Sequence, residues 1–214
     1  MNVKHIMVRD EGVSPVIGVM LMLVVTIIIA ALVTGFSSSL VDTETASPVS
    51  YLDVEILANQ GADLNQYVMN IKHLGGDTLD TADLEITSEY AYDQYDATTK
   101  TVTAHRTSAT ITSVSNSVTL QKKTATTAAI RAKVPYLSDM SVETPSDPAV
   151  QYGSFDFTAG DIMTTGNSVG TQMMLTGSST GKLPAGFGVG SKVDISIMHV
   201  PSNTVIFSKE VRVA

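Results

Sequence analysis

Several residue types are missing or scarce in this 214-residue sequence. It has no cysteine and no tryptophan, and only 6% of its residues are aromatic. Without thiols, neither a disulfide framework nor a cysteine-ligated metal site can form. Basic residues are also few: 13 Lys and Arg stand against 21 Asp and Glu, which gives a formal net charge of −8. Because nucleic acid is bound by positive surfaces, this acidic balance argues against a nucleic-acid partner.

The sequence also shows no clear pattern of catalytic residues. There is no cysteine nucleophile, and we find no serine that a nearby histidine would activate. A zinc site could be imagined from His73, His105 and His199, but zinc needs three or four ligands that converge. For the histidines that end strands, a bond to a carbonyl or to a neighbouring strand is the simpler interpretation. We therefore predict no catalytic residue, no metal site, no cofactor and no enzymatic activity.

Residues 12–41 form one segment without a charged residue, GVSPVIGVMLMLVVTIIIAALVTGFSSSLV. As a helix, its central part from Val16 to Phe36 would be about 31 Å long, which matches the ~30 Å hydrocarbon core of a bilayer. Apolar side chains fall on every face of this helix, so it must be covered all round. Lipid can cover it, and so can a bundle of identical helices.

The residues around this segment predict where the helix begins and how it is oriented. Ser14 suits the N-cap and Pro15 suits the first helical position, where its missing N–H costs nothing. Residues 1–11 then form a short charged leader, and the apolar segment is too long for the core of a secretory signal peptide. Lys4 and Arg9 precede the helix while acidic residues follow it, which predicts a cytoplasmic N-terminus.

Small residues recur along the predicted helix at intervals of four. Thr26, Ala30 and Thr34 form one such series, and Ala31 and Gly35 form another. Side chains four apart lie on one face of a helix, and small ones let neighbouring helices approach closely. We predict that these five residues form helix–helix contacts.

After a Ser- and Thr-rich hinge at residues 42–50, the hydrophobic period changes to two, which is typical of strands. Alternation predicts a half-buried strand over 66–74, followed by a turn and a short strand that includes Leu84 and Ile86. It also predicts a hairpin over 193–199 and 205–213. The glycine-rich residues 160–190 predict mostly turns, with a strand over Thr171 to Leu175, and we find no helix after residue 45. The sequence thus predicts an α+β protein, with a long hydrophobic helix and an all-β, sandwich-like head at 51–214.

The middle of the head, about residues 88–151, is rich in Thr and Ser and predicts only edge strands. Tyr90, Tyr92 and Tyr95 are interleaved with aspartates there. Exposed tyrosines supply contact area at low entropy cost, so these three are a candidate adhesion patch. The alternative is one inward tyrosine and two ordinary surface residues.

The stretch RDEGVSPVIGVMLMLVVTIIIAAL resembles the N-terminus of archaeal type IV pilins. That resemblance implies a class III-type leader, cut by a prepilin peptidase between Glu11 and Gly12. Bacterial pilins usually carry a glutamate where this chain has Val16, and the difference fits the archaeal branch. The head segments IKHLGGDTLDTADLEI, FDFTAGD and VDISIMHVPSNTVIFSKEVRV are also similar to β-domains attached to archaeal pilin helices.

The resemblance implies a structural subunit of an extracellular adhesion pilus. It would be a membrane precursor until its leader is removed, and would then polymerise into a helical homo-oligomer with the help of the pilus assembly machinery. Two alternatives remain open: an archaellin of a swimming filament, and an uncleaved single-pass surface protein that binds a ligand. The sequence does not identify an adhesion target.

Overall fold

The computed structural model describes residues 15–40, 46–58, 66–114, 117–121, 128–139, 144–180 and 182–214. The chain divides into two compact units, Met1–Glu44 and Thr45–Ala214. In the first unit, helix α1 runs over Pro15–Leu40. The second unit is the head, and nearly all of its regular structure is strand. The predicted combination of a long apolar helix and a β-rich head is therefore confirmed.

The described part of the head contains twelve strands and one α-helix. In chain order they are β1 (Ser50–Leu57), β2 (Val68–Gly76), β3 (Leu79–Asp80), β4 (Leu84–Asp96), β5 (Thr101–Ile111), β6 (Ser117–Gln121), β7 (Ile130–Lys133), β8 (Tyr136–Leu137), β9 (Asp156–Phe157), β10 (Ile162–Thr164), α2 (Ser168–Thr176), β11 (Lys192–His199) and β12 (Thr204–Arg212).

Two four-stranded antiparallel sheets form the framework of the head. The first sheet has the order β1-β2-β10-β8, and the second has the order β12-β11-β4-β5. Two-stranded pairs β3-β9 and β6-β7 complete it. The edge strands β1 and β12 are linked by a parallel bridge between Ile56 and Val213, where the Ala214 N–H donates to the Ile56 carbonyl at 2.9 Å. This bridge joins the beginning of the head to its end.

The core lies between the inner faces of the strands, and the period of two explains which residues reach it. On β2, Met69 and Ile71 are buried while Asn70 and Lys72 point outward and are half-buried, as predicted for this strand. On β11, alternate residues Val193, Ile195 and Ile197 are buried, and β12 completes the predicted hairpin. Tyr152 and Phe157 are the bulkiest fully buried side chains.

Tyr152 shows how a polar group is accommodated in this core. Its hydroxyl donates to the Leu84 carbonyl at 2.9 Å, so the buried O–H has a partner. The pKa of Tyr152 is raised above its ordinary value of 10.0, mainly by burial and secondly by the nearby charge of Glu85. The phenol is therefore neutral in the folded head, and it links the segment before β9 to the start of β4.

The prediction of a strand over Thr171 to Leu175 is wrong, because these residues lie in α2. The helix begins at an N-cap, Asn167, whose side chain accepts hydrogen bonds from the N–H groups of Val169 and Gly170 at 3.0 Å each. It ends at Gly177, which adopts the left-handed conformation with φ 69°. Residues 170–175 are all buried, so neither the period of a strand nor that of an amphipathic helix is visible in their sequence.

The strand predicted around Leu84 and Ile86 is real but much longer than expected. It continues through the Thr- and Ser-rich region as β4, which pairs with β5 from Ile86 opposite Ile111 to Asp96 opposite Thr101. Ser88 interrupts the apolar alternation of β4 and is nevertheless buried, because its hydroxyl donates to the Met174 carbonyl of α2. This hydrogen bond links α2 to the second sheet.

The N-cap of α2 generates the first prediction. Replacing Asn167 with alanine removes the acceptor for two N–H groups, and we expect the free energy of unfolding of the full chain in detergent to fall by about 1 kcal/mol. Asn167→Ser is the matched control: its hydroxyl keeps a capping oxygen, and both variants lose the hydrogen bond from Asn167 Nδ2 to the Leu120 carbonyl at 3.0 Å, so they differ in the cap. Thermal or denaturant unfolding followed by circular dichroism gives both values. An equal loss in the two variants would show that the cap does not stabilise α2.

Candidate functional site

Helix α1 is the most unusual surface in the described residues. Every side chain from Pro15 to Phe36 is exposed, and even the least exposed of its large apolar residues, Val25, is 44% accessible. Fully burying one large apolar side chain is worth about 1.5–3 kcal/mol, so this helix cannot remain uncovered in water. By length and composition, Pro15–Phe36 can cross a membrane, and it is the one helix in the described part of the chain that can.

The two threonines of α1 satisfy their hydroxyl groups within the helix. Thr26 Oγ1 donates to the Leu23 carbonyl at 2.8 Å, and Thr34 Oγ1 donates to the Ala30 carbonyl at 2.8 Å. A hydroxyl bonded in this way can enter an apolar environment without an unsatisfied donor. Gly35 leaves open space on its side of the helix, where an added Cβ would meet no atom within 4 Å.

The contacts predicted for Thr26, Ala30, Ala31, Thr34 and Gly35 need a neighbouring helix, so their packing role stays a prediction. The predicted cleavage residues Glu11 and Gly12, and the predicted N-cap Ser14, lie outside the described residues. Pro15 is the first residue of α1.

The three tyrosines of the candidate adhesion patch differ in how exposed they are. Tyr90 is only 4% exposed and packs edge-on against Phe187, with ring centroids 5.3 Å apart. Tyr92 is half-buried and stacks between Tyr90 and His105, at 5.5 Å from each. Tyr95 is 61% exposed. A partner could therefore reach Tyr95 and part of Tyr92, whereas Tyr90 belongs to the core, and the adhesive role of the patch stays a prediction.

Within the described residues, neither strand-end histidine ring makes the predicted bond to a carbonyl or to a neighbouring strand. His199 Nδ1 lies 2.7 Å from the Ser202 hydroxyl, across the turn between β11 and β12. His73 is buried, and neither of its ring nitrogens has a hydrogen-bond partner in the described residues. Its ring instead stacks on Phe157, with centroids 5.2 Å apart. No group of three His, Asp or Glu in the described ranges could hold a metal ion.

The sequence Gly166-Asn167-Ser168-Val169-Gly170 has the G-x-S-x-G form of a hydrolase nucleophile elbow, and it lies between a strand and a helix. The structure does not give Ser168 the geometry of a nucleophile. It is the first residue of α2 and lacks the positive φ of a strained turn. Its Oγ accepts a hydrogen bond from the Tyr67 N–H at 2.8 Å. This pattern is therefore a helix start, with Asn167 as its cap.

Comparison with known proteins found a match for the segment that contains α1. A sequence model of the archaeal type IV pilin N-terminal region matches residues 11–51. The N-terminal segment is similar to that of archaeal type IV pilins. This confirms the resemblance found in the sequence, and the pilin segment contains all of α1. Proteins of this structural family assemble into pilus filaments.

A further relative is an uncharacterized protein of Archaeoglobus fulgidus, which is 32% identical to this chain over 77 residues. The aligned part is 36% of this chain and 51% of that protein, so the chain spans about half the length of this relative. No solved structure matches the chain. The pilin segment is thus assigned by its sequence, and the architecture of the head by its own structure.

The different environments of the tyrosines generate the second prediction. Tyr90→Ala opens a cavity beside Phe187, and we expect it to lower the free energy of unfolding by about 3 kcal/mol or more. Tyr95→Ala removes an exposed ring and should change this free energy by no more than about 0.5 kcal/mol. Unfolding of the full chain in detergent measures both variants side by side. A costly Tyr95→Ala or a neutral Tyr90→Ala would contradict the assignment of Tyr90 to the core.

Proposed function

We propose that this protein is a structural subunit of an extracellular archaeal type IV pilus that serves in adhesion. The observation that carries the proposal is α1, an apolar helix exposed on all faces within a segment that matches the archaeal pilin N-terminus. Such a helix is stable in two environments, a bilayer and a bundle of its own copies. A pilin uses the first before assembly and the second afterwards.

The precursor is held in the membrane by α1, with its N-terminus in the cytoplasm and its head outside. A prepilin peptidase then cuts between Glu11 and Gly12, and the assembly machinery transfers the helix from lipid into the growing filament. Removal of residues 1–11 matters physically, because this leader carries four charged residues, Lys4, Arg9, Asp10 and Glu11. Ionised groups cannot enter an apolar bundle without partners.

In the filament, the helices form the core and the β-rich heads form the outer wall. The role is structural, with no enzymatic activity and no cofactor. The exposed part of β4 and β5, which carries Tyr95 opposite Val102, is the adhesion surface that we propose. Both side chains are largely exposed, at 61% and 64%, and they form one cross-strand apolar pair.

The N-terminal residue of the protein in filaments tests the proposed processing. Filaments sheared from cells should contain this chain beginning at Gly12, as measured by intact mass and by N-terminal sequencing. The membrane pellet of the same cells should contain the longer precursor. Chains that begin at Met1 and occur only in the pellet would show an uncleaved anchor instead. A chain found in a rotating swimming filament would support the archaellin alternative.

Packing of the small residues is tested by enlarging one of them without changing the polarity of the helix. Ala30→Phe should leave the precursor in the membrane but abolish filaments, because the larger ring prevents close approach of neighbouring helices. Thr26→Ala is the control, since it keeps the same face small. Electron microscopy of sheared material and immunoblots of membranes give the two readouts. Normal filaments from Ala30→Phe would show that this face does not contact another helix.

A further inference from the structure

Strands β4 and β5 extend beyond the rest of the second sheet. Strand β11 pairs with β4 only from Leu84 to Glu89, whereas β5 pairs with β4 as far as Asp96. Residues 90–96 and 101–107 therefore form a two-stranded extension of the sheet, which we call the ribbon. Most of its residues are exposed. Within the part of the chain that the structure describes, each strand of the ribbon is paired on one side only, so the ribbon has two free edges.

The backbone of the ribbon is regular and well fixed. The ladder between β4 and β5 keeps one register from Ile86 to Asp96. At the tip, Asp96 Oδ1 accepts hydrogen bonds from the N–H groups of Thr98 and Thr99, at 2.7 Å and 3.3 Å. The free edge of a regular strand presents N–H and C=O groups to which another strand can bind, and proline, which would prevent this, is absent from both strands of the ribbon. A partner strand would therefore meet a preformed edge.

The two strands of the ribbon differ in charge. From Glu89 to Asp96, β4 carries three acidic residues, the other being Asp93, and no basic residue. Strand β5 carries Arg106 and no acidic residue. Arg106 Nη2 lies 3.0 Å from Glu89 Oε2, and its guanidinium has further N–H donors. Asp93 is exposed, and none of the ion pairs between described residues includes it. One strand can therefore supply a cation and the other an anion.

This difference in charge selects among the possible edge partners. Pairing of β4 with β4 of another copy would bring two acidic strands together, and pairing of β5 with β5 would give Arg106 no acidic partner. Pairing of β5 with β4 of the next copy can place Arg106 opposite Asp93, and the same antiparallel register places Ser108 opposite Ala91. Because this contact joins two different edges, it repeats from copy to copy and produces an open polymer.

We infer that, in the filament, β5 of each head pairs with the free edge of β4 in the next head, so that the second sheet continues across subunits. This inference rests on the proposed function and adds a contact between heads to the proposed bundle of helices. Pairing through the edges leaves both faces of the ribbon uncovered. Tyr95 and Val102 thus stay on the surface that we propose for adhesion, and the filament repeats this pair from subunit to subunit.

Because the chain has no native cysteine, engineered disulfides can locate the contact. Filaments are grown from a mixture of Ala91→Cys and Ser108→Cys subunits and oxidised, and the linked peptides are identified by mass spectrometry. We expect a disulfide between position 91 of one subunit and position 108 of another in filaments, and none in detergent-dispersed subunits. Ala91→Cys mixed with Val205→Cys is the matched control, because Val205 is 53% exposed but lies on β12, at the far edge of the same sheet. Links only between identical positions, or equal linkage to position 205, would overturn the inference.

Reversal of one charge tests why the two edges pair. In the same mixed filaments, Asp93→Lys in every subunit faces Arg106 of the neighbouring copy with a like charge, and should lower the yield of the 91–108 link about fivefold. Asp194→Lys is the matched control, since Asp194 is an exposed aspartate on the same face of the sheet but lies on β11, outside the ribbon. It should change the yield by less than about twofold. Equal effects of the two variants would contradict the pairing.

The starting material separates this contact from the proposed function. Both arms use filaments that electron microscopy shows to be intact and in which mass spectrometry finds this chain. Intact filaments that contain the chain but give no 91–108 link would refute the contact between heads alone. Absence of the chain from wild-type filaments would refute the proposed function itself.

Discussion

One constraint governs this protein: α1 has no polar face. An ordinary surface helix buries one apolar stripe against its own domain and presents polar residues to water. The side chains from Pro15 to Phe36 leave no such division, and all of them are exposed. Water is therefore excluded as the final environment of this helix. Even its threonines conform to this constraint, because Thr26 and Thr34 direct their hydroxyls to their own backbone.

If α1 passes from lipid into a bundle of copies, as we propose, the head must be stable by itself. The head meets this requirement with two antiparallel sheets around one core and with a link between its two ends. Strand β1 comes first in the head and β12 comes last, yet Ile56 and Val213 bridge them, and the Ala58 N–H donates to the Ala214 carbonyl at 2.8 Å. The first residues of the head are held by its last ones. This arrangement lets the head keep its fold whether α1 is in lipid or in a bundle.

Two kinds of element could be predicted from the sequence. The long apolar segment predicts a helix that water cannot cover, and a hydrophobic period of two predicts a half-buried strand. Unbroken apolar character gave α1, and strict alternation gave β2 and the β11–β12 hairpin. Helix α2 was missed because its residues 170–175 are buried on all sides and carry no period. Its caps, Asn167 and Gly177, were the available signal. Extending the alternation from Leu84 and Ile86 would also have placed Tyr90 inward. The polar residue Ser88 interrupts that alternation in the sequence. Only the structure shows that the buried Ser88 hydroxyl is satisfied by a hydrogen bond to α2.

The candidate site divides in the same way. The helix and its similarity to pilins could be recognised from residues 11–51, whereas the burial of Tyr90 depends on Phe187, which is distant in sequence. No local pattern brings such residues together. For the same reason, the lack of a hydrogen-bond partner for His73 among the described residues could not be foreseen from its position at a strand end.

The central claim is that α1 leaves lipid to be covered by copies of itself. Electron cryomicroscopy of purified filaments measures this most directly, because side-chain density identifies the residues at the filament axis. We expect a lipid-free bundle of helices at the axis, formed by residues 15–36 of many copies, with β-rich heads outside. Filaments whose axis is formed by the heads, or a chain found only as an isolated helix surrounded by lipid, would contradict it.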